Sequence, residues 1–108
     1  MISNNQILSL REALKKAVNE SYIYSTVEDG GTSNFDTPIL QLPKDWSKEE
    51  IKEAFISTGL YPEITKDNMI YILRACQGQG FRRTAMAEAF RDSLRSSGFT
   101  SYVEYKTD

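Results

Sequence analysis

The fold turns on how Met69-Ile70-Tyr71-Ile72-Leu73-Arg74-Ala75-Cys76-Gln77-Gly78-Gln79-Gly80-Phe81-Arg82-Arg83-Thr84 is read. Met69 to Leu73 is a continuous apolar run, and its length and the glycines after it favour a central strand over a helix. Gly78 and Gly80 permit a sharp turn. Ala85 to Ser97 then carries Met86, Ala89, Phe90 and Leu94 at helical spacing, with Gly98 as the stop. A strand, a glycine turn and a helix start with two cations make a seat for an anion. A helix N-terminus already holds roughly half a positive charge and several unpaired N–H groups. Arg82 and Arg83 there disfavour the helix by about 0.3–1 kcal/mol per charge. A bound phosphate or carboxylate reverses that sign.

Outward from this stretch, the chain reads as one α+β domain over residues 1–108. Asn4 or Ser3 caps a first helix to about Ser21, with Ile7, Leu10, Leu14, Ala17 and Val18 on one stripe. That stripe suits packing on the domain's own sheet. Its 7-10-14-17 spacing also suits a short coiled-coil seam, which makes residues 1–21 a candidate oligomerisation element. Tyr22 to Val27 is rich in β-branched and aromatic residues and reads as a strand, and Thr37 to Leu42 as a second. Pro38 keeps the second near an edge or at its first residues. Ser47-Lys48-Glu49-Glu50 is a capping box opening a second helix, with Trp46 before it, Ile51, Ala54 and Phe55 inward, and Gly59 as C-cap. Tyr61 to Asn68 reads as a polar connector broken by Pro62, and Phe99 to Tyr105 alternates as a last strand. The expected order is α-β-β-α-β-α-β, with a four-stranded, mostly antiparallel sheet.

Composition narrows the function. Apolar residues make up 40% and charged residues 26%, values of a globular domain. No stretch approaches the roughly 20 apolar residues that span a bilayer, and no signal-peptide pattern is seen. The lone cysteine, Cys76, allows no internal disulfide and fits a cytoplasmic location. Histidine is absent, which removes the commonest general base and neutral metal ligand. No metal site and no catalytic residue is expected, and the balance leans to binding rather than turnover. Net charge is −2, yet residues 72–97 carry five of the six arginines and a local charge of +3, leaving −5 elsewhere. Arginine presents a fork matched to phosphate and carboxylate. A solvated helix face is the plainer explanation of such a run.

A second candidate lies in Gly30-Gly31-Thr32-Ser33-Asn34-Phe35-Asp36. Asn34 and Asp36 suit a nucleobase edge or ribose hydroxyls, and Phe35 suits stacking on a base. Turn chemistry accounts for the same residue types, because Asn, Asp and Ser bond their own backbone. Joined to an anion seat, the loop supplies what a nucleotide site needs besides phosphate contacts. Tyr102 and Tyr105 also suit stacking, though tyrosines are ordinary sheet residues. The ligand-binding set is thus Asn34, Phe35, Asp36, Gly78, Gly80, Arg82, Arg83 and Thr84.

Together, Asp29-Gly30-Gly31-Thr32-Ser33-Asn34-Phe35-Asp36-Thr37 and Gly78-Gln79-Gly80-Phe81-Arg82-Arg83-Thr84, followed by a helix and a short β end, resemble the Thoeris anti-defence proteins of phages. The resemblance covers most of the chain from Tyr22 onward. It implies a non-enzymatic sponge that binds a cyclic ADP-ribose isomer or a related cyclic oligonucleotide and sequesters it unchanged in the host cytoplasm. It implies no cofactor and homo-oligomers with ligand sites between subunits. Arg82 and Arg83 would hold phosphates, with Phe35 and Asn34 facing a base or ribose. Two other classes compete. A nucleic-acid- or protein-binding module would use the arginines on a polymer or an acidic partner, although the −5 remainder argues against broad nucleic-acid affinity. An acyl transferase would seat coenzyme A on the Gly-x-Gly turn, but Ala75 stands where that family has Gln or Arg, and no base is evident.

Overall fold

Ser3 caps helix α1, Asn4–Tyr22, through a reciprocal capping box with Gln6. The structure, a computed structural model, describes residues 2–28, 30–31, 34–76, 78 and 80–106. Among these the order is α1, a 3₁₀ turn over Ile23–Thr26, β1 Thr37–Gln41, α2 Lys48–Ala54, β2 Tyr61–Ile64, a 3₁₀ turn over Lys66–Asn68, β3 Met69–Leu73, α3 Gly80–Ser96 and β4 Thr100–Glu104. The α+β class, the four-stranded sheet and the three α-helices are as expected. All strand pairs are antiparallel, in the order β2-β3-β1-β4.

Two segments differ from the sequence reading, so the order runs α-β-α-β-β-α-β. Tyr22–Val27 is not a strand. Nothing between Ser21 and Tyr22 breaks the helix, which continues through Tyr22 and tightens into the 3₁₀ turn, and Tyr22 and Ile23 remain exposed. The β preference of such residues depends on having a pleated surface to pair with. The missing strand is β2, inside the presumed connector. Pro62 is tolerated because β2 is an edge, paired only with β3 as Tyr61↔Leu73, Pro62↔Ile72 and Glu63↔Tyr71. Pro38 obeys the same rule in an internal strand. It faces only Val103 of β4, because the pairing of β1 with β3 begins at Ile39.

Helix α2 ends earlier than Gly59. Phe55 is its C-cap, and the N–H groups of Phe55 and Ile56 fold back onto Ile51, Lys52 and Glu53 carbonyls. Helix α3 begins earlier than Ala85. Phe81, Arg82, Arg83 and Thr84 form its first turn, after Gly78 and Gly80 bend the chain at φ of 71° and 60°. Its other end closes near Gly98, where Gly98 N–H meets Arg95 O and Phe99 N–H meets Leu94 O.

The α1 stripe is used within the chain. Ile7, Leu10, Leu14 and Ala17 join Ile51, Phe55, Leu40, Ile70, Ile72, Phe90 and Leu94 in one core between the helices and one sheet face. Among the described residues no helix packs on the other face. There Ile39, 6% exposed and outside that core, is flanked across the strands by Tyr71 and Tyr102.

Glu50 ties the two capping boxes' ends together. Its carboxylate accepts the N–H groups of Ser47 at 2.9 Å and Ile2 at 3.0 Å. Those backbone bonds hold its pKa below the ordinary 4.5. A folded-state pKa lowered in this way gives stabilisation that is complete above 4.5 and lost as pH falls through the lower folded-state value. The expected result is a shallower acid-side loss of the urea midpoint in Glu50→Gln than in wild type; identical pH profiles would contradict it.

Candidate functional site

The loop and the glycine turn meet inside one chain. Asn34 Nδ2 donates to the Gly80 carbonyl and to Thr84 Oγ1, both at 3.2 Å. Thr84 donates its hydroxyl proton to Asp36 Oδ2 at 2.6 Å, and Lys106 N–H donates to Asp36 Oδ1 at 2.9 Å. Phe81 N–H, one of the orphan donors of the α3 start, reaches Gly30 O at 3.0 Å. Asn34 and Asp36 are 8% and 3% exposed. Asp29, Thr32, Ser33, Gln77 and Gln79 of the two motifs lie outside the described residues.

Between these segments lies a cavity of about 380 Å³, walled by Gly30, Gly31, Asn34, Asp36, Gly80, Phe81, Thr84, Tyr105 and Lys106. A larger groove of about 420 Å³ sits at the far end of β1 and β4, near Gln41, Trp46 and Thr100. Among the described residues no charged side chain lines that groove, so a phosphorylated ligand finds no counter-charge from them there. The smaller cavity is the candidate site.

Four of the eight expected residues, Asn34, Asp36, Gly80 and Thr84, line it. Gly78 and Phe35 do not, and Phe35 is anchored by its backbone, its N–H donating to Lys106 O at 2.7 Å. Arg82 and Arg83 stand on the first turn of α3 but outside the wall. Arg82 Nε donates to Val27 O at 2.7 Å and Arg83 Nε to Asp36 O at 2.8 Å. Much of the expected charge conflict is therefore answered from within the chain. The carboxylate of Asp36 also sits beside the start of α3, where an anion is stabilised.

The aromatic wall is Phe81, not Phe35. Its ring, 63% exposed, lies over the Gly30–Gly31 peptide, where a Cβ on Gly30 would stand 2.6 Å from Phe81 Cδ2. Glycine at position 30 is thus a requirement of close approach. Gly30→Ala is expected to swing the ring away and abolish its ring-current shift on Gly31. Because the ring is exposed, unfolding free energy should change by less than about 1 kcal/mol. An unchanged Gly31 spectrum would refute the contact. One signal in the sequence pointed to Phe81, a bulky apolar residue between Gly80 and Arg82. Tyr105, weighed as a stacking residue, does line the cavity, with its hydroxyl donating to Glu88 at 2.6 Å.

Burial pushes the Cys76 thiol up to about 11, so it stays protonated at neutral pH. Among the described residues, no group of three or more His, Cys, Asp or Glu could hold a metal ion, and no helix is long and apolar enough to cross a membrane. Compared with protein-family models, curated proteins and solved structures, the chain matches none of them.

Proposed function

We propose that the protein binds a small phosphorylated nucleotide signal, a cyclic ADP-ribose isomer or a cyclic oligonucleotide, and sequesters it without turnover. One observation carries the reading. Asn34 is more than nine-tenths buried at the wall of the cavity, and among the described residues its Oδ1 has no hydrogen-bond partner. A buried polar atom left unpaired costs about 1–3 kcal/mol. A ligand donor would remove that cost, and the cavity opens beside a helix start with two arginines.

On this reading Asn34, Asp36 and Thr84 face a base or ribose. Gly78 and Gly80 let the chain turn close to the ligand, and Arg82 and Arg83 serve its phosphates from outside the cavity. Phe81 and Tyr105 give it flat walls, the role first expected of Phe35. The setting implied by the phage resemblance is the host cytoplasm, with no cofactor. Self-association belongs to the same proposal, and its surface lies outside the α1 stripe, which the core uses. Calorimetry against cyclic ADP-ribose isomers and cyclic dinucleotides tests it, followed by recovery of the nucleotide after heat denaturation. Binding with intact recovery supports the proposal. Silence across the panel ends it, and consumption of the nucleotide replaces it with an enzyme.

The helix-free sheet face favours a second reading, a module for a macromolecular partner. It exposes Tyr61, Tyr102 and Met69, and Arg74 lies 5.9 Å from the Tyr61 ring centre. Glu63 and Glu104 share that face, which opposes a polyanion. Single-stranded RNA or DNA binding with a steep salt dependence would establish it.

A further inference from the structure

We infer that the cavity takes the nucleoside half of the nucleotide, through a base amine or ribose hydroxyl donated to Asn34 Oδ1, and that the phosphates stay outside it. This rests on the nucleotide reading above and deepens it, by naming the atom that takes the ligand's donor and the reason a phosphate is kept out. The orientation of Asn34 is settled by its neighbour. Nδ2 faces the Gly80 carbonyl, which only accepts, so a flipped amide would set two oxygens against each other. Oδ1 is therefore an acceptor cut off from water and, among the described residues, unpartnered.

The rest of the wall agrees. The Thr84 proton is used on Asp36 Oδ2 and the Lys106 N–H on Asp36 Oδ1. Both N–H groups of Asn34 are used on Gly80 O and Thr84, and the Tyr105 hydroxyl donates to Glu88. The hydrogens of these polar side chains are thus used within the chain, and one of the side chains is the carboxylate of Asp36, while the exposed Lys106 is the charged donor of the lining. A phosphate inside would face a carboxylate at close range in a poorly screened site. A planar, donor-bearing base or sugar between Phe81 and Tyr105 meets no such repulsion. A donor reaching Oδ1 must displace part of the wall that covers it, and the exposed Phe81 ring is free of close packing on its outer side.

The test is a titration of the ¹⁵N-labelled full chain, followed by NMR, with cyclic ADP-ribose, adenosine, N6,N6-dimethyladenosine, 2′,3′-dideoxyadenosine and sodium pyrophosphate as separate probes. Adenosine is expected to shift the Asn34 side-chain amide and the Gly30, Gly31 and Thr84 backbone amides, and pyrophosphate is expected to leave them in place. One of the two analogues should bind about tenfold more weakly than adenosine or worse, and which one identifies the donor as amine or hydroxyl. Asn34 unmoved by adenosine, Asn34 moved by pyrophosphate, or equal binding of both analogues would overturn the inference. Cyclic ADP-ribose binding with Asn34 unmoved overturns it while sparing the nucleotide reading, whereas silence of every nucleotide overturns both.

Discussion

Asp36→Ala is expected to lower the unfolding free energy by about 2–4 kcal/mol, because hydrogen bonds to a charged group contribute about 1.5–3 kcal/mol each. The Asp36 carboxylate is buried and bridges three parts of the fold. It accepts the Thr84 hydroxyl from the first turn of α3 and the Lys106 N–H beyond β4, and it stands one residue ahead of β1. Alanine leaves the part-buried Thr84 hydroxyl with only the Gly80 carbonyl, at 3.1 Å, and the Lys106 N–H without its acceptor. It also removes the negative charge beside a helix start that has Arg82, Arg83 and no acidic residue in its first turn. Asp36→Asn keeps an acceptor and should recover part of the loss. Urea unfolding followed by circular dichroism decides the matter. A loss below about 1 kcal/mol for alanine, or equal losses for both variants, would show that the carboxylate does not hold the site together.

Phe90→Ala is expected to cost about 3–5 kcal/mol. The Phe90 ring is fully buried in the cluster that joins α1, α3 and the covered sheet face, with Leu10, Leu14, Ile70 and Ile72 in the same core. Truncation removes the apolar area and leaves a void that close-packed neighbours fill only in part. Against a domain stability of about 5–15 kcal/mol, that is a large share. The urea midpoint should fall with little change in the slope, because the native and unfolded surfaces stay nearly the same. A loss under about 1.5 kcal/mol would mean that the site collapses around the missing ring.

Elements whose signal is local could be read from the chain. The capping box at Ser47 depends on a side chain three residues away and is present, and of the two caps offered for the first helix, Asn4 or Ser3, it is Ser3. The stripe Ile7-Leu10-Leu14-Ala17 and the run Met69–Leu73 state their own periodicity, and both fell where expected. Tyr22–Val27 misled because β-branched and aromatic residues record a preference that only a partner strand can satisfy. Tyr61–Ile64 misled in the opposite sense, because the cost of Pro62 vanishes on an edge, and edge status belongs to the sheet as a whole.

The site divides in the same way. Gly30, Asn34, Asp36, Gly80 and Thr84 stood out by residue type in their two motifs, and the fold brings them to one cavity. Arg82 and Arg83 stood out too, yet each turns its Nε to a backbone carbonyl at another point of the chain. Phe81 replaces Phe35 as the wall because the paired glycines of a distant loop leave room for its ring.

By itself, then, the sequence determined the α+β class, the start of α1, the capping box of α2, three of the four strands and the two motifs that meet at the candidate site. Each of these follows from residues a few positions apart, whose spacing is already spatial information in a helix or strand. The tertiary structure alone decided the edge strand, the helical end of α1, the place of the Phe81 ring over Gly30 and the hydrogen-bond network around Asp36. The last two depend on partners distant in the chain, such as Asp36 with Lys106, 70 residues apart. Such pairings are set by how the sheet and helices close on one another.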